Sequence, residues 1–571
     1  MFNKNVIMSK KNPNNNSNLS RREWFSRAAA PALAAPLVYP LLVSATPNIA
    51  APANAKLAIF DIRDFGAVGD SVKLNTVEIQ AAIDAANAAQ GGTVLVPSGT
   101  FLCGTIELKS NVTFHLATNA KLLASPKMED YRAGNNIPPG NGNIVFISAA
   151  DAENITISGN GTIDGNGRAF FTGRGDGTGP GASSAEGYSQ RPHLFIFARC
   201  KNLRMNDVFL TQSAYHCLRI LNCEYVYFNR VRILNRVNIN NDGFHFNNCR
   251  YVHIDGCDVR CQDDACALFG SNKFVTVSNC SFSTRWSIFR FGNGSSEYIT
   301  VTNCTIYETY GCAIKMGAGR GSRHENMIFS NLILRDVTGP FSLGLSDQSR
   351  TPRPGQENQP SSPGIVRNIV FSNIRGTVVA RGREFEDMHW EQNYRFPGEV
   401  RSCIVLNSFG ESYLENITIS NVHLTFEGGG TAEEAQLRDI PEVAGEYFLI
   451  GDRPAHGLYA RNVRGLTLDN VRIETATPDL RPAVVLDNVA DASITNITTQ
   501  GNPSGPSVLR CINTKDMLIA SPRLLTPAAV YMAVEGERSA DITLDGGDIR
   551  KAKKDVTFDR GATSKAARIR T

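Results

Sequence analysis

Apolar residues alternate with polar ones in short runs along most of this chain, and the runs look alike. "ENITISGNGTI" begins at Glu153, "KNLRMNDVFL" at Lys201, "EYVYFNRVRI" at Glu224 and "RYVHIDGCDV" at Arg250. "KFVTVSNCSF", "EYITVTNCTI" and "ENMIFSNLIL" follow, and further copies continue to "ADITLDGGDI" near the C-terminus. The equivalent positions Leu203, Val226, Val252, Val275 and Ile299 are 23, 26, 23 and 24 residues apart. Alternation with period two describes a strand with one buried and one wet face. A repeat in the low twenties, all strand and turn, predicts a solenoid whose coils stack about 4.8 Å apart. A propeller blade needs roughly forty residues, and the ladder of a leucine-rich repeat is absent. The predicted fold is therefore all-β, a right-handed parallel β-helix.

Two segments depart from the alternation. Thr76 to Gln90 is Ala-rich with helical spacing and stops at Gly91-Gly92, so a short N-terminal helix is expected to cap the open end of the solenoid. Residues 551–571 are basic and poor in apolar residues, and a frayed tail is expected there. The solenoid itself is assigned to residues 56–550. The first 55 residues read as a twin-arginine export signal. Arg21 and Arg22 precede an Ala/Leu/Val stretch from Ala28 to Val43, which is broken by Pro31, Pro36 and Pro40. Ala53-Asn54-Ala55 offers a cleavage site. That predicts a periplasmic or extracellular protein, with no membrane span once the signal is removed.

Composition narrows the chemistry. A net charge of +4 over 571 residues is too mild to argue for nucleic acid. The thirteen cysteines lack paired zinc spacing. Cys223, Cys249, Cys280 and Cys304 each follow an Asn. Stacked coils would place such residues in interior ladders, which favours buried thiols over disulfides.

The acids of "INNDGFHFNNCRYVHIDGCDVRCQDDACALFG" stand out. Asp242 and Asp264 are 22 residues apart, about one coil, so they should be neighbours. Asp263 adjoins Asp264, and all three converge only if the strand bends there. Grouped carboxylates suit glycoside hydrolysis, which needs one protonated acid and one base for water. One coil spacing also predicts an outward column beside the acids. Arg219, His245, Ala267, Arg290 and Lys315 are separated by 26, 22, 23 and 25 residues. Such cations either face solvent or bind an anionic sugar. Trp390, Tyr394 and Phe396, in a long insertion, either stack on sugars or pack their loop.

These motifs resemble glycoside hydrolase family 28, the polygalacturonases and their relatives, from the "DFGAVGD" opening to about residue 500. Asn240, Asn241 and Asp242 match the family's N-T-D motif with Asn in place of Thr, and Asp263-Asp264 matches its D-D motif. The resemblance implies that Asp263 is the general acid and that Asp242 and Asp264 position and activate water in an inverting reaction. It also implies that Asn240 lies at the substrate. Two motifs depart. "WSIFRFGNG" takes the place of G-H-G-L-S-I-G and puts Ser287 where the family has histidine. "AIKMG" takes the place of R-I-K, keeping Lys315 but putting Ala313 where the arginine stands. The expected activity is that of a glycoside hydrolase on a uronate-containing polysaccharide, acting as a monomer with no cofactor and no metal. Two alternatives stay open. One is a lyase or epimerase, in which the acids could hold calcium. The other is a glycan-binding solenoid without catalysis.

Overall fold

The computed structural model describes residues 58–570, except 138–141, 171–190, 346–361, 389–399, 411 and 442–449. The expected export signal and the aromatics Trp390, Tyr394 and Phe396 lie outside the described residues. Among the described residues no helix is long and apolar enough to cross a membrane.

The parallel β-helix forms as expected. A representative coil has three strands, Phe244–Asn247, Arg250–Asp255 and Asp258–Cys261. The next coil has Cys266–Phe269, Lys273–Ser278 and Ser281–Thr284. Each strand pairs in parallel with its counterpart one coil on, as Val252 with Val275 and Val275 with Ile299. The repeat spacing of the sequence is thus the hydrogen-bond register. Inward positions hold Val, Ile, Leu and Phe at zero to two per cent exposure. Phe329, Phe371 and Phe341 stack with centroids 5.3 and 4.4 Å apart. The thirteen cysteines are buried free thiols, as the ladder reading expects.

The corners between strands explain the recurring Asn. Asn279, Asn303, Asn331, Asn373, Asn421 and Asn470 all have φ between 51° and 56°. Asn enters this left-handed region more readily than most residues. Its amide then bonds to the Asn one coil away: Asn331 Nδ2 donates to Asn303 Oδ1 at 3.2 Å, and Asn373 Nδ2 to Asn331 Oδ1 at 3.1 Å.

The cap is the helix α1, Thr76–Ala88, which buries Ile79, Ala82, Ile83 and Ala86. It covers the terminal edge with side chains acting as strand partners. Gln80 Nε2 donates to the Glu107 carbonyl at 3.0 Å, and Gln80 Oε1 accepts from the Glu107 amide at 2.8 Å. Such pairing blunts an open edge. The tail is corrected. Of the expected tail 551–571, residues 551–570 are described and do not fray, because Ala552–Asp559 pairs with Ala528–Glu535 and Ala567–Arg570 pairs with Ala540–Asp545. Backbone pairing and half-buried Val556 and Phe558 hold the segment, while its lysines face solvent on what is the last coil.

Candidate active site

The acids lie in the turns between the third strand of one coil and the first strand of the next. Asn241 builds the first of these turns. It is fully buried, its Oδ1 accepts from the Val237 and Asn238 amides at 3.0 and 2.7 Å, and its Nδ2 donates to the Ser213 and Tyr215 carbonyls at 3.0 and 2.9 Å. This staples the turn to the preceding coil. Asn240 takes φ 56°, which an Asn tolerates. Asn235 Nδ2 donates to the Asp242 carbonyl at 3.0 Å. Gly243 follows, and a Cβ there would lie 2.5 Å from the Ala265 carbonyl, so only glycine lets the two acid-bearing turns pack this closely.

Asp242 and Asp264 are buried, at 5% and 7% exposure, while Asp263 keeps more solvent contact. Asp263 Oδ1 accepts from the Asp264 amide at 2.8 Å, and Asn240 Nδ2 reaches Asp263 Oδ2 at 3.4 Å. The bend at Gln262–Ala265 brings the two adjacent acids into one electrostatic group with Asp242. Burial, then the charges of Asp242 and Asp264, push the Asp263 carboxyl well above the ordinary aspartate range. Burial and Asp264 also raise Asp242, against which the Arg191 guanidinium works. The three carboxyls therefore resist ionising together, and burial and their mutual charge favour the protonated form of the group.

The expected column exists in register: Arg219 pairs with His245, His245 with Ala267, Ala267 with Arg290 and Arg290 with Lys315. Two features differ from a solvated cationic stripe. First, Arg219, Arg290 and Lys315 are at 8%, 8% and 1% exposure, so they are covered. Arg219 Nη1 donates to the Gly142 carbonyl at 2.6 Å, and Lys315 Nζ lies 5.0 Å from the Trp286 ring centroid. Lys315 is close enough to oppose the raised Asp263 pKa. Second, His245 is not a cation. Burial and the Arg219 charge push its pKa down to about 4, and its Nδ1 lies 2.7 Å from Asp242 Oδ2. Phe269 fills the step beside Ala267, with Arg290 5.9 Å from its ring centroid.

Residues 87–386 match the model described as Glycosyl hydrolases family 28. This chain belongs to that family. A polygalacturonase from Persea americana is 25% identical over 201 residues, 33% of this chain and 42% of that protein. A 61-residue stretch, 9% of this chain and 4% of the other, is 48% identical to mannuronan C5-epimerase AlgE1 of Azotobacter vinelandii. The chain thus spans less than half the length of these curated relatives. The family 28 exopolygalacturonase of Yersinia enterocolitica superposes with TM-score 0.56 at 19% identity, covering 77% of this chain and 79% of that one, which establishes a shared fold.

Within this family 28 chain the structure adds residues that the sequence reading passed over. His216 occupies the register position of Asp242 one coil earlier, and His193, the first residue of the strand His193–Ala198, occupies it two coils earlier. The 26-residue step from Arg219 to His245 also leads from His216 to Asp242, so the spacing could have found them. His216 Nε2 lies 3.8 Å from Asp242 Oδ1. Arg191 Nη2 donates to Asn240 Oδ1 at 3.1 Å and stacks 4.6 Å from the Tyr215 ring centroid. Ser287 is buried in register with Asp264 one coil on, where it opens the strand Ser287–Phe291, and its carbonyl accepts from the Ala265 amide at 2.8 Å. Ala313 is likewise buried and presents no charge to the site. His216, Asp242 and His245 could hold a metal ion, with ligand atoms within 4.8 Å of one another. The fit is poor, because among the described residues the buried His216 Nδ1 has no hydrogen-bond partner, whereas metal-binding imidazoles donate their second nitrogen to an acceptor.

Proposed function

We propose that the protein is a glycoside hydrolase that cleaves a uronate-containing polysaccharide, polygalacturonan in the first instance, with inversion at the anomeric carbon. The observation that carries this is the three-carboxylate group on adjacent turns, whose Asp242 and Asp263 pKa values are raised by burial and by the charge of the neighbouring acids, with Arg191 and Lys315 near enough to act on them. Asp263 has the most solvent contact of the three and a raised pKa, so it delivers its proton to the glycosidic oxygen. Asp242 and Asp264 take the proton of a water that attacks from the opposite face. Arg290 and Lys315 supply positive charge beneath the site that favours an anionic sugar, and Asn240 fixes the sugar beside Asp263. The reading includes export by the twin-arginine route to the periplasm or exterior, and action as a monomer.

The test is a panel of pectic and algal polysaccharides assayed for new reducing ends, with the first-formed anomer followed by NMR. An inverted anomer on polygalacturonan, unaffected by EDTA, is expected. Retention of configuration, or activity lost to chelator, refutes the mechanism. A second reading, C5-epimerase or lyase, is favoured only by the 61-residue likeness to the Azotobacter epimerase. It predicts no new reducing ends from an epimerase, or unsaturated products absorbing in the ultraviolet from a lyase.

A further inference from the structure

We infer that His245 is a positioning residue for Asp242, holding one carboxylate oxygen of that base through its Nδ1–H, and that it makes no contact with substrate. This deepens the hydrolase reading above and rests on it.

The contact is built by the local sequence. Asp242 ends the turn, Gly243 lets the turn close, and His245 is the second residue of the strand Phe244–Asn247. Their side chains meet at 2.7 Å. The imidazole cannot swing away, because its ring lies between two others. His216 stacks on it at 4.6 Å and 13°, and Phe269 at 5.1 Å and 4°. A ring clamped face to face can move only in its own plane, which fixes Nδ1 on Asp242 Oδ2. Phe269 comes from the next coil and His216 from the preceding one, so three successive coils aim a single nitrogen.

The electrostatics favour a neutral donor over a cation. Arg219 and Arg191 bear on the histidines, and burial disfavours a second positive charge there. Asp242 itself faces His245 and His216 from the turn-and-strand segments before and after it. It also faces Arg191, and Asp263 and Asp264 from the following turn, with the Cys261 thiol close by. Among these the His245 Nδ1–H is the short contact to a carboxylate oxygen. A hydrogen bond to the charged form lowers a carboxyl pKa. The bond works against the burial and the Asp264 charge that raise the Asp242 pKa. In turnover Asp242 accepts the water proton, the water oxygen bonds to the anomeric carbon, and Asp263 gives its proton to the departing oxygen. His245 keeps its proton throughout.

Two variants and one spectroscopic reading test this on the full-length protein with polygalacturonan. His245→Phe keeps a flat ring in the stack and removes the donor. His245→Asn places an amide nitrogen near the position of Nδ1. His245→Phe should lose about 10- to 100-fold in kcat with KM little changed, the scale of a misplaced catalytic group. Its acid limb should move up by about one to two pH units. His245→Asn should recover most of the rate and return the limb. In the unmutated protein, 15N NMR should show His245 neutral with its proton on Nδ1 from about pH 5.5 to 8. A rise in KM at constant kcat overturns the inference in favour of substrate contact. Equal losses in both variants with an unmoved limb reduce His245 to a packing residue, and an Nδ1 without a proton refutes the hydrogen bond. Activity that is lost to EDTA and restored by Zn2+ would make His245 a metal ligand instead. If NMR shows the Nδ1 proton but no uronic polysaccharide is cleaved, the hydrolase reading fails while the pair stands.

Discussion

Asp263 combines the two properties wanted in a proton donor, a raised pKa and a route to solvent. Asp263→Asn is nearly isosteric and should lower turnover about 10²–10⁴-fold while the protein stays folded, as read by reducing-end release and circular dichroism. The same change should raise the melting temperature at neutral pH. A carboxyl whose pKa is higher in the folded state than in the unfolded one adds stability below its unfolded value, and that stability is lost as pH rises through the folded value. The variant has no such loss, so its advantage in melting temperature should widen as pH rises above the ordinary aspartate range of about 4. Arg290→Met and Lys315→Met keep the stems and remove the charges. Affinity for polygalacturonan should fall by about 1.5–3 kcal/mol, while a methyl-esterified chain, a poor substrate to begin with, should be indifferent. Equal loss on both substrates would reassign the two residues to support of the acids. The spacing of the three acids and of the column was legible because coil register preserves sequence separation. The charge state of His245 was not, because it depends on burial and on Arg219, which no period reports. His216 was within reach of the same arithmetic.

Strands and corners divide the labour between them. The alternation of Val, Ile and Phe exposed the strands to a sequence reading, since period two is a direct image of the pleat. The corners were visible only as recurring Asn. Their function, a left-handed residue whose amide also pairs along the axis, needed the dihedral angles. Asn373→Ala removes the donor to Asn331 and leaves alanine at φ 55°. It should cost about 1–3 kcal/mol in chemical denaturation, combining left-handed strain with the lost bonds. Asn373→Gly should recover the strain part only. The last coil was misread for a related reason: surface lysines obscured strands whose inward residues are few.

Across the whole solenoid, each coil touches chiefly the coil before and the coil after, so stability accumulates through neighbour contacts rather than through one central core. The thirteen thiols are spread through that arrangement, and none is in a disulfide. In the folded protein they are out of reach, and reductant should leave the melting temperature nearly unchanged. The unfolded chain is another matter. It carries thirteen accessible thiols, an odd number, and any of the many pairings would knot coils that must lie apart. Folding therefore has to precede oxidation. Denatured protein should regain activity when diluted into reducing buffer. Diluted into an oxidising glutathione mixture, it should give scrambled, aggregated chains on non-reducing gels. A chain with this interior has a narrow order of events open to it: it closes its coils first and meets any oxidant afterwards.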